Sequence, residues 1–139
     1  MVSHHAALIY VMVMVSAADR NMTDAELHTI GEIVSFLPVF RDYDAGLLPQ
    51  TTISCAEMLD ADDGFDRALE FIKAALPPRL RETAYALACD VAASDGEAHQ
   101  EVLRLLEIIR HRLEIDRLAA AAIERGARAR FIRPGPATH

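Results

Sequence analysis

The chain predicts an all-α fold: a compact bundle of about seven helices arranged as two pseudo-symmetric halves. Three observations carry this expectation. Apolar residues recur at helical spacing along most of the 139 residues. No segment shows the alternation of a half-buried strand. One helix-turn-helix pattern occurs twice, about 75 residues apart. The length favours one domain, expected over residues 1–130 and followed by a flexible tail over 131–139. A chain of this size buries roughly two thirds of its unfolded surface, so its core needs no metal or disulfide staple.

The first helix is expected from about His4 to Ala18. Its apolar run, Ala6 to Val15, is too short for a bilayer, which needs about 20 residues. It has the length of a signal-peptide core, but the preceding MVSHH contains no Lys or Arg. It also has an interior counterpart. AALIYVMVMVSAADRNMTDAELHTIGEIV aligns with TAYALACDVAASDGEAHQEVLRLLEII. Glu26-Leu27-x-x-Ile30-x-Glu32-Ile33-Val34 is echoed by Glu101-Val102-x-x-Leu105-x-Glu107-Ile108-Ile109. The offset is 75 there and 76 at Asp19/Asp95, so the second turn is one residue shorter. Since the interior copy cannot be an export signal, the opening stretch reads as half of a buried helix pair. A helix apolar on nearly every face belongs at the centre of a bundle.

The second helix is expected from Thr23 to about Leu37, with Leu27, Ile30, Val34 and Leu37 inward and Pro38 discouraging continuation. Residues 38–50 are less regular. A short helix from Ile53 to Leu59 precedes the turn Asp60-Ala61-Asp62-Asp63-Gly64. The next helix spans Phe65 to Leu76, with Phe65, Leu69, Ile72 and Leu76 inward. Pro77-Pro78 suits the start of a fifth helix running to about Ala93, with Leu80, Ala84, Leu87 and Val91 on one face. The sixth spans about Ala98 to Leu113. The last spans Ile115 to about Arg130, with Ile115, Leu118, Ala122 and Ile123 inward, and its terminal arginines suit the helix dipole.

Charge is unevenly spread. Residues 1–103 carry 6 basic and 17 acidic side chains, whereas residues 104–139 carry 8 Arg and 4 acids. A net charge of −7 over such a surface argues against nucleic acid as a partner. The Arg-rich end reads first as an ordinary solvated face with dipole compensation; docking on an acidic protein or an anionic membrane face is the less favoured alternative. Cys55 and Cys89 lie among small apolar residues and are read as buried thiols of a reducing cytoplasm.

Two acidic turns carry the candidate chemistry. They are Asp19-Arg20-Asn21-Met22-Thr23-Asp24-Ala25-Glu26 and Asp95-Gly96-Glu97 with Glu101. Crowded carboxylates bind hard divalent cations through oxygen. Neither turn has EF-hand register, because Asp24 stands where Gly is required and Ile30 where Glu is required. Thr23-x-x-Glu26 also has capping-box spacing, which the second turn lacks because Ala98 takes the equivalent place. Capping therefore explains the first turn better than the second. A third group, Asp60, Asp62, Asp63, Asp66 and Glu70, fits an N-cap at Asp63 better than a cation site. His4 and His5 fall at a chain end expected to be mobile. His28, His99 and His111 read as surface residues, and Met12 and Met14 as core filling. No HExxH, nucleophile elbow or P-loop is present, so no catalytic residue and no organic cofactor site is assigned.

The Ala-rich apolar helix, the turn Ala-Ala-Asp or Ala-Ser-Asp-Gly, and the following Glu-[Leu/Val]-x-x-[Ile/Leu], present in both halves, resemble the TerB-like tellurite-resistance family. The domain at the cytoplasmic end of DjlA-like co-chaperones is of the same type. The resemblance runs from about Ala6 to Arg130. It implies a compact seven-helix domain of a bacterial protein linked to tellurite resistance or a wider stress response; with no catalytic signature in the chain, a non-enzymatic, cytoplasmic role is expected. It further implies a divalent cation (Ca²⁺, Mg²⁺ or Mn²⁺) at Asp19, Glu26, Asp95, Glu97 and Glu101, and another protein as partner. The alternative is a metal-independent protein–protein interaction module, with a homodimer also open. Arg20 stands where the family turn has Gly, and no His-Pro-Asp triplet occurs, so the chain is not a whole DjlA-like co-chaperone.

Overall fold

Helix α1 (His4–Ala17) forms the axis of the molecule in a computed structural model that describes residues 3–18, 24–94 and 99–135. All ten side chains from Ala7 to Ser16 are buried. A rod that is apolar all round must be covered all round. Here α3 (Leu48–Asp60), α4 (Gly64–Ala75) and α5 (Arg81–Ser94) do most of the covering, and α2 (Asp24–Phe36) and α6 (Gln100–Arg112) complete it. Each aliphatic side chain so enclosed contributes about 1.5–3 kcal/mol. Ser3 starts the helix by accepting the His5 backbone N–H at 3.1 Å. Tyr10 and Phe71 join α1 to α4, with ring centroids 4.8 Å apart.

The seventh helix, α7 (Arg117–Arg130), packs on α5. Short 3-10 turns at Pro38–Phe40, Ala45–Leu47 and Pro78–Leu80 complete the order, and no strand occurs among the described residues. The fold is thus an all-α bundle, as expected. The lengths agree with the doubled pattern: α1 and α5 have 14 residues each, and α2 and α6 have 13 each. No helix of the described residues is long and apolar enough to cross a membrane.

Several boundaries and faces differ from expectation. Helix α3 begins at Leu48, not Ile53, because Pro49 occupies the first turn, where its missing N–H is not needed. Helix α7 begins at Arg117, since Asp116 caps it by accepting from Leu118 N and Ala119 N at 3.1 and 3.2 Å. Leu27, Phe65 and Leu118 were expected inward, yet they are 46%, 39% and 81% exposed. Ala122 is also exposed. In α2 the inward row is displaced by one position, so Glu26 and Thr29 are buried with Ile30 and Val34. In α7 the buried residues are Ala120 and Ala127. Their small side chains let the helix lie close to α5, which turns Leu118 to solvent.

The α6–α7 corner is closed without glycine. Glu114 adopts a left-handed conformation (φ 58°), Glu114 N–H donates to His111 O at 3.1 Å, and Ile115 N–H donates to Arg110 O at 3.0 Å. This is the paired bonding of a Schellman stop. Lys73 and Arg81 hold the Glu114 carboxylate from α4 and α5, at 3.8 and 3.0 Å. At the α3–α4 corner a glycine is required. A Cβ on Gly64 would stand 2.0 Å from the Met58 carbonyl oxygen.

Candidate functional site

Three of the five candidate cation ligands, Asp19, Asp95 and Glu97, lie outside the described residues. The other two occupy equivalent places in the doubled sequence but different surroundings. Glu26, in the first turn of α2, is buried, with 1% exposure. Glu101, in the first turn of α6, is exposed. Glu101 borders a cleft of about 610 Å³ together with Met14, Ala17, Phe65 and Arg104. Among the described residues no three His, Cys, Asp or Glu side chains gather as a metal site.

The third acidic group is spread along ion pairs rather than gathered. Asp63 occupies the N-cap position of α4, but its side chain makes no capping hydrogen bond, contrary to expectation. Its carboxylate faces Arg67 at 3.8 Å, while Asp66 accepts from Arg112 at 2.6 Å. His5 also departs from the expected mobile end. It is half-buried, stacks on Phe40 with centroids 5.6 Å apart, and its Nε2–H donates to Val39 O at 2.9 Å. The carbonyl can only accept, which assigns the ring proton to Nε2. His28 forms an exposed pair with Glu32 at 3.2 Å.

A second concavity of similar size lies between α6 and α7 over α5. Its volume is about 600 Å³. The floor is Tyr85, Cys89, Ala92 and Ala93 of α5. One wall is Val102, Leu103 and Leu106 of α6; the other is Ala127 of α7 with Phe131 and Ile132 beyond it. Ile132 and Phe131 therefore line a groove, although they fall in the segment expected as a tail. Leu103 and Ile132 are 50% and 79% exposed at its mouth. Arg110 and Arg128 stand on opposite walls.

The doubled sequence lets the groove floor be compared with the same positions of α1. Cys89, Ala92 and Ala93 correspond to Val13, Ser16 and Ala17 of α1 at the offset of 76. On α1, Val13 and Ser16 are closed over by neighbours, with 2% and 0% exposure. On α5 only Ala92 departs from its counterpart: it is half-buried where Ser16 is enclosed, whereas Cys89 is buried like Val13 and Ala93 is half-buried like Ala17.

Three polar groups inside, Tyr85, Cys89 and Glu124, are neutral or engaged. Tyr85 donates to a Glu124 carboxylate oxygen at 2.5 Å. Burial, and then this hydrogen bond, push the phenol far above its ordinary value. Burial pushes the Cys89 thiol up to about 12. Neither is a nucleophile at neutral pH, since the reactive form of each is the anion. The site can therefore enclose an apolar group, with arginines at the edges. Tyr85 and Glu124 were not singled out from sequence. The available signal was an acid one position from the inward Ile123 in an otherwise Ala-rich helix. No protein-family model, curated protein or solved structure matches the chain.

Proposed function

We propose that the chain is a non-enzymatic partner-binding domain whose docking face is the α5–α6–α7 groove. One observation carries this reading. Apolar side chains that a bundle of this size normally encloses, Leu103 and Ile132, flank an open apolar channel at 50% and 79% exposure. The protonated Cys89 thiol and the engaged Tyr85–Glu124 pair fit a binding surface better than a reaction centre. The setting implied by the TerB-like resemblance is the cytoplasm of a bacterium under stress, tellurite included. The test is photo-crosslinking in bacteria from a benzoylphenylalanine placed at Leu103, with Leu118 as the control on a face away from the groove. A discrete crosslinked protein at Leu103 and none at Leu118 is expected. Equal, diffuse labelling from both positions would remove the reading.

A divalent cation at the acidic turns is the second reading. Its motivation is the doubled acidic turn, in which Glu26 and Glu101 occupy equivalent places. Ca²⁺, Mg²⁺ or Mn²⁺ held by Asp19 and Glu26, or by Asp95, Glu97 and Glu101, would fix the angle between the helices that each turn joins. A ligand of the folded state raises Tm by mass action. Added cation should therefore raise Tm in the parent, and the shift should be lost in Asp19→Ala if the first turn holds the ion or in Asp95→Ala/Glu101→Ala if the second does. No shift in the parent, before or after EDTA treatment, would exclude it.

A further inference from the structure

We infer that the outer face of α7 docks on an anionic lipid surface, with Leu118 entering the interface and Arg117, Arg125 and Arg128 on its headgroup phosphates; this goes beyond the groove reading and does not depend on it. Helix α7 packs chiefly on α5, through Ala120 and Ala127. Its opposite side is therefore the outermost surface of that part of the bundle. At 100° per residue, Leu118, Ala122, Arg125 and Ala129 run down the middle of this side, and Arg117 and Arg128 run along one edge. All six are exposed. Leu118, at 81%, is the most exposed large apolar side chain of the described residues, and Ile132, at 79%, lies just past the helix end. The alanines between them let the helix axis lie low on a plane.

Charge selects the anionic class. No acid lies on this face: Glu124, the one acid between residues 117 and 130, is turned in to Tyr85. Arg130 is engaged by Asp90, but Arg117, Arg125 and Arg128 pair with no carboxylate of the described residues. Glu114 and Asp116 stand before the helix, where they hold Lys73 with Arg81 and the first backbone amides of α7. Residues 1–103 carry 6 basic and 17 acidic side chains against 8 and 4 in residues 104–139, so the molecule is bipolar and turns this end toward an anionic plane. At physiological salt a charge more than about 8 Å from that plane is screened, so the face nearest the lipid decides the sign. Shape favours a lipid plane over a folded partner. A helix of 14 residues has a footprint of about 21 by 10 Å, on the order of 200 Å², whereas a stable protein interface takes about 800 Å² from each side. A membrane asks for no such area, because each guanidinium fork binds a phosphate by itself while an apolar side chain beside it enters the acyl boundary. A second copy laid on this face would set arginine against arginine.

The experiment sediments the full chain with vesicles of phosphatidylcholine, alone or mixed with phosphatidylglycerol, at low and high salt. Binding to the mixed vesicles, lost at high salt and absent with phosphatidylcholine alone, is expected. Arg125→Gln/Arg128→Gln should weaken it at least about tenfold, since each arginine at such a surface is worth about fivefold. Arg41→Gln/Arg67→Gln, the same charge change on other elements, should stay within about twofold of the parent. Leu118→Ser should weaken binding about fivefold. The chain has no tryptophan, so the fluorescence of Leu118→Trp reports on that position alone. Its emission should move to the blue on mixed vesicles and be quenched by brominated acyl chains. Circular dichroism verifies the fold of each variant. A parent that does not sediment with the mixed vesicles would overturn the proposal, and so would equal losses from the two arginine pairs. Arginine-dependent binding with unmoved Leu118→Trp emission would overturn the entry of Leu118 into the lipid. Arginine-dependent capture by immobilised polyglutamate, without vesicle binding, would replace the lipid with an acidic protein.

Discussion

The hydroxyl of Tyr85 donates to a carboxylate oxygen of Glu124 at 2.5 Å, tying α5 to α7 at the groove floor. Hydrogen bonds to charged acceptors contribute about 1.5–3 kcal/mol when buried, and partial exposure reduces this. Tyr85→Phe should therefore lower the unfolding free energy by about 1–2 kcal/mol in urea titrations. Glu124→Gln retains an acceptor and should cost less than about 1 kcal/mol. Equal losses for the two would mean that the charge of the acceptor, and not merely its presence, sets the strength of the bond.

The bundle should weaken in alkali well before its arginines lose charge. Burial raises both Cys55 and Cys89 from 9.0 to about 12. A thiol raised by folding contributes its full stability below pH 9 and loses it as pH climbs towards 12, because the unfolded chain releases the proton first. The loss is on the order of 2 kcal/mol per thiol by about pH 10.5. Tyr85, shifted in the same direction, adds to it above pH 10. Urea midpoints between pH 8 and about pH 10.5 should fall steeply in the parent and less in Cys55→Ala/Cys89→Ala, compared with each protein's own value at pH 8. A flat profile in the parent would contradict the burial of these groups.

Two glycines should respond oppositely to alanine. At Gly64 the new Cβ meets backbone, with Met58 O at 2.0 Å, so the α3–α4 corner must open. Overpacking of that kind costs about 1–3 kcal/mol, and more where backbone must move. Gly31 lies within α2 with nothing within 4 Å of the added carbon. Alanine there should stabilise by about 0.5–1 kcal/mol through helix propensity. Thermal melts of the two variants should move in opposite directions from the parent.

Glu114 separates a backbone cost from a charge gain. Its left-handed conformation costs a non-glycine residue about 1 kcal/mol. Its exposed pairs with Arg81 and Lys73 return only a few tenths each. Glu114→Gly should therefore be neutral to stabilising, by up to about 1 kcal/mol, whereas Glu114→Ala should destabilise. Raising salt should widen the gap between Glu114→Gly and the parent, since only the parent's ion pairs are screened.

What the amino-acid order determined by itself was the helical class, the number of helices and the burial of α1. These follow from local periodicity and from a run of apolar residues with no polar face. It also placed the two thiols in the interior. Tertiary packing decided which edge of each stripe turns inward. One helical position is 100° of rotation, so Leu27 and Leu118 went to solvent while Glu26 and Ala120 went in. The Glu114 stop was invisible without a glycine to mark it. The groove was invisible for a related reason. It joins residues 39 apart in Tyr85 and Glu124, and it exists only because α6 and α7 diverge over the small side chains of α5. A helix's period reports how much of it is apolar. Where its neighbours stop covering it is a property of three helices together, and no single segment of the chain encodes it.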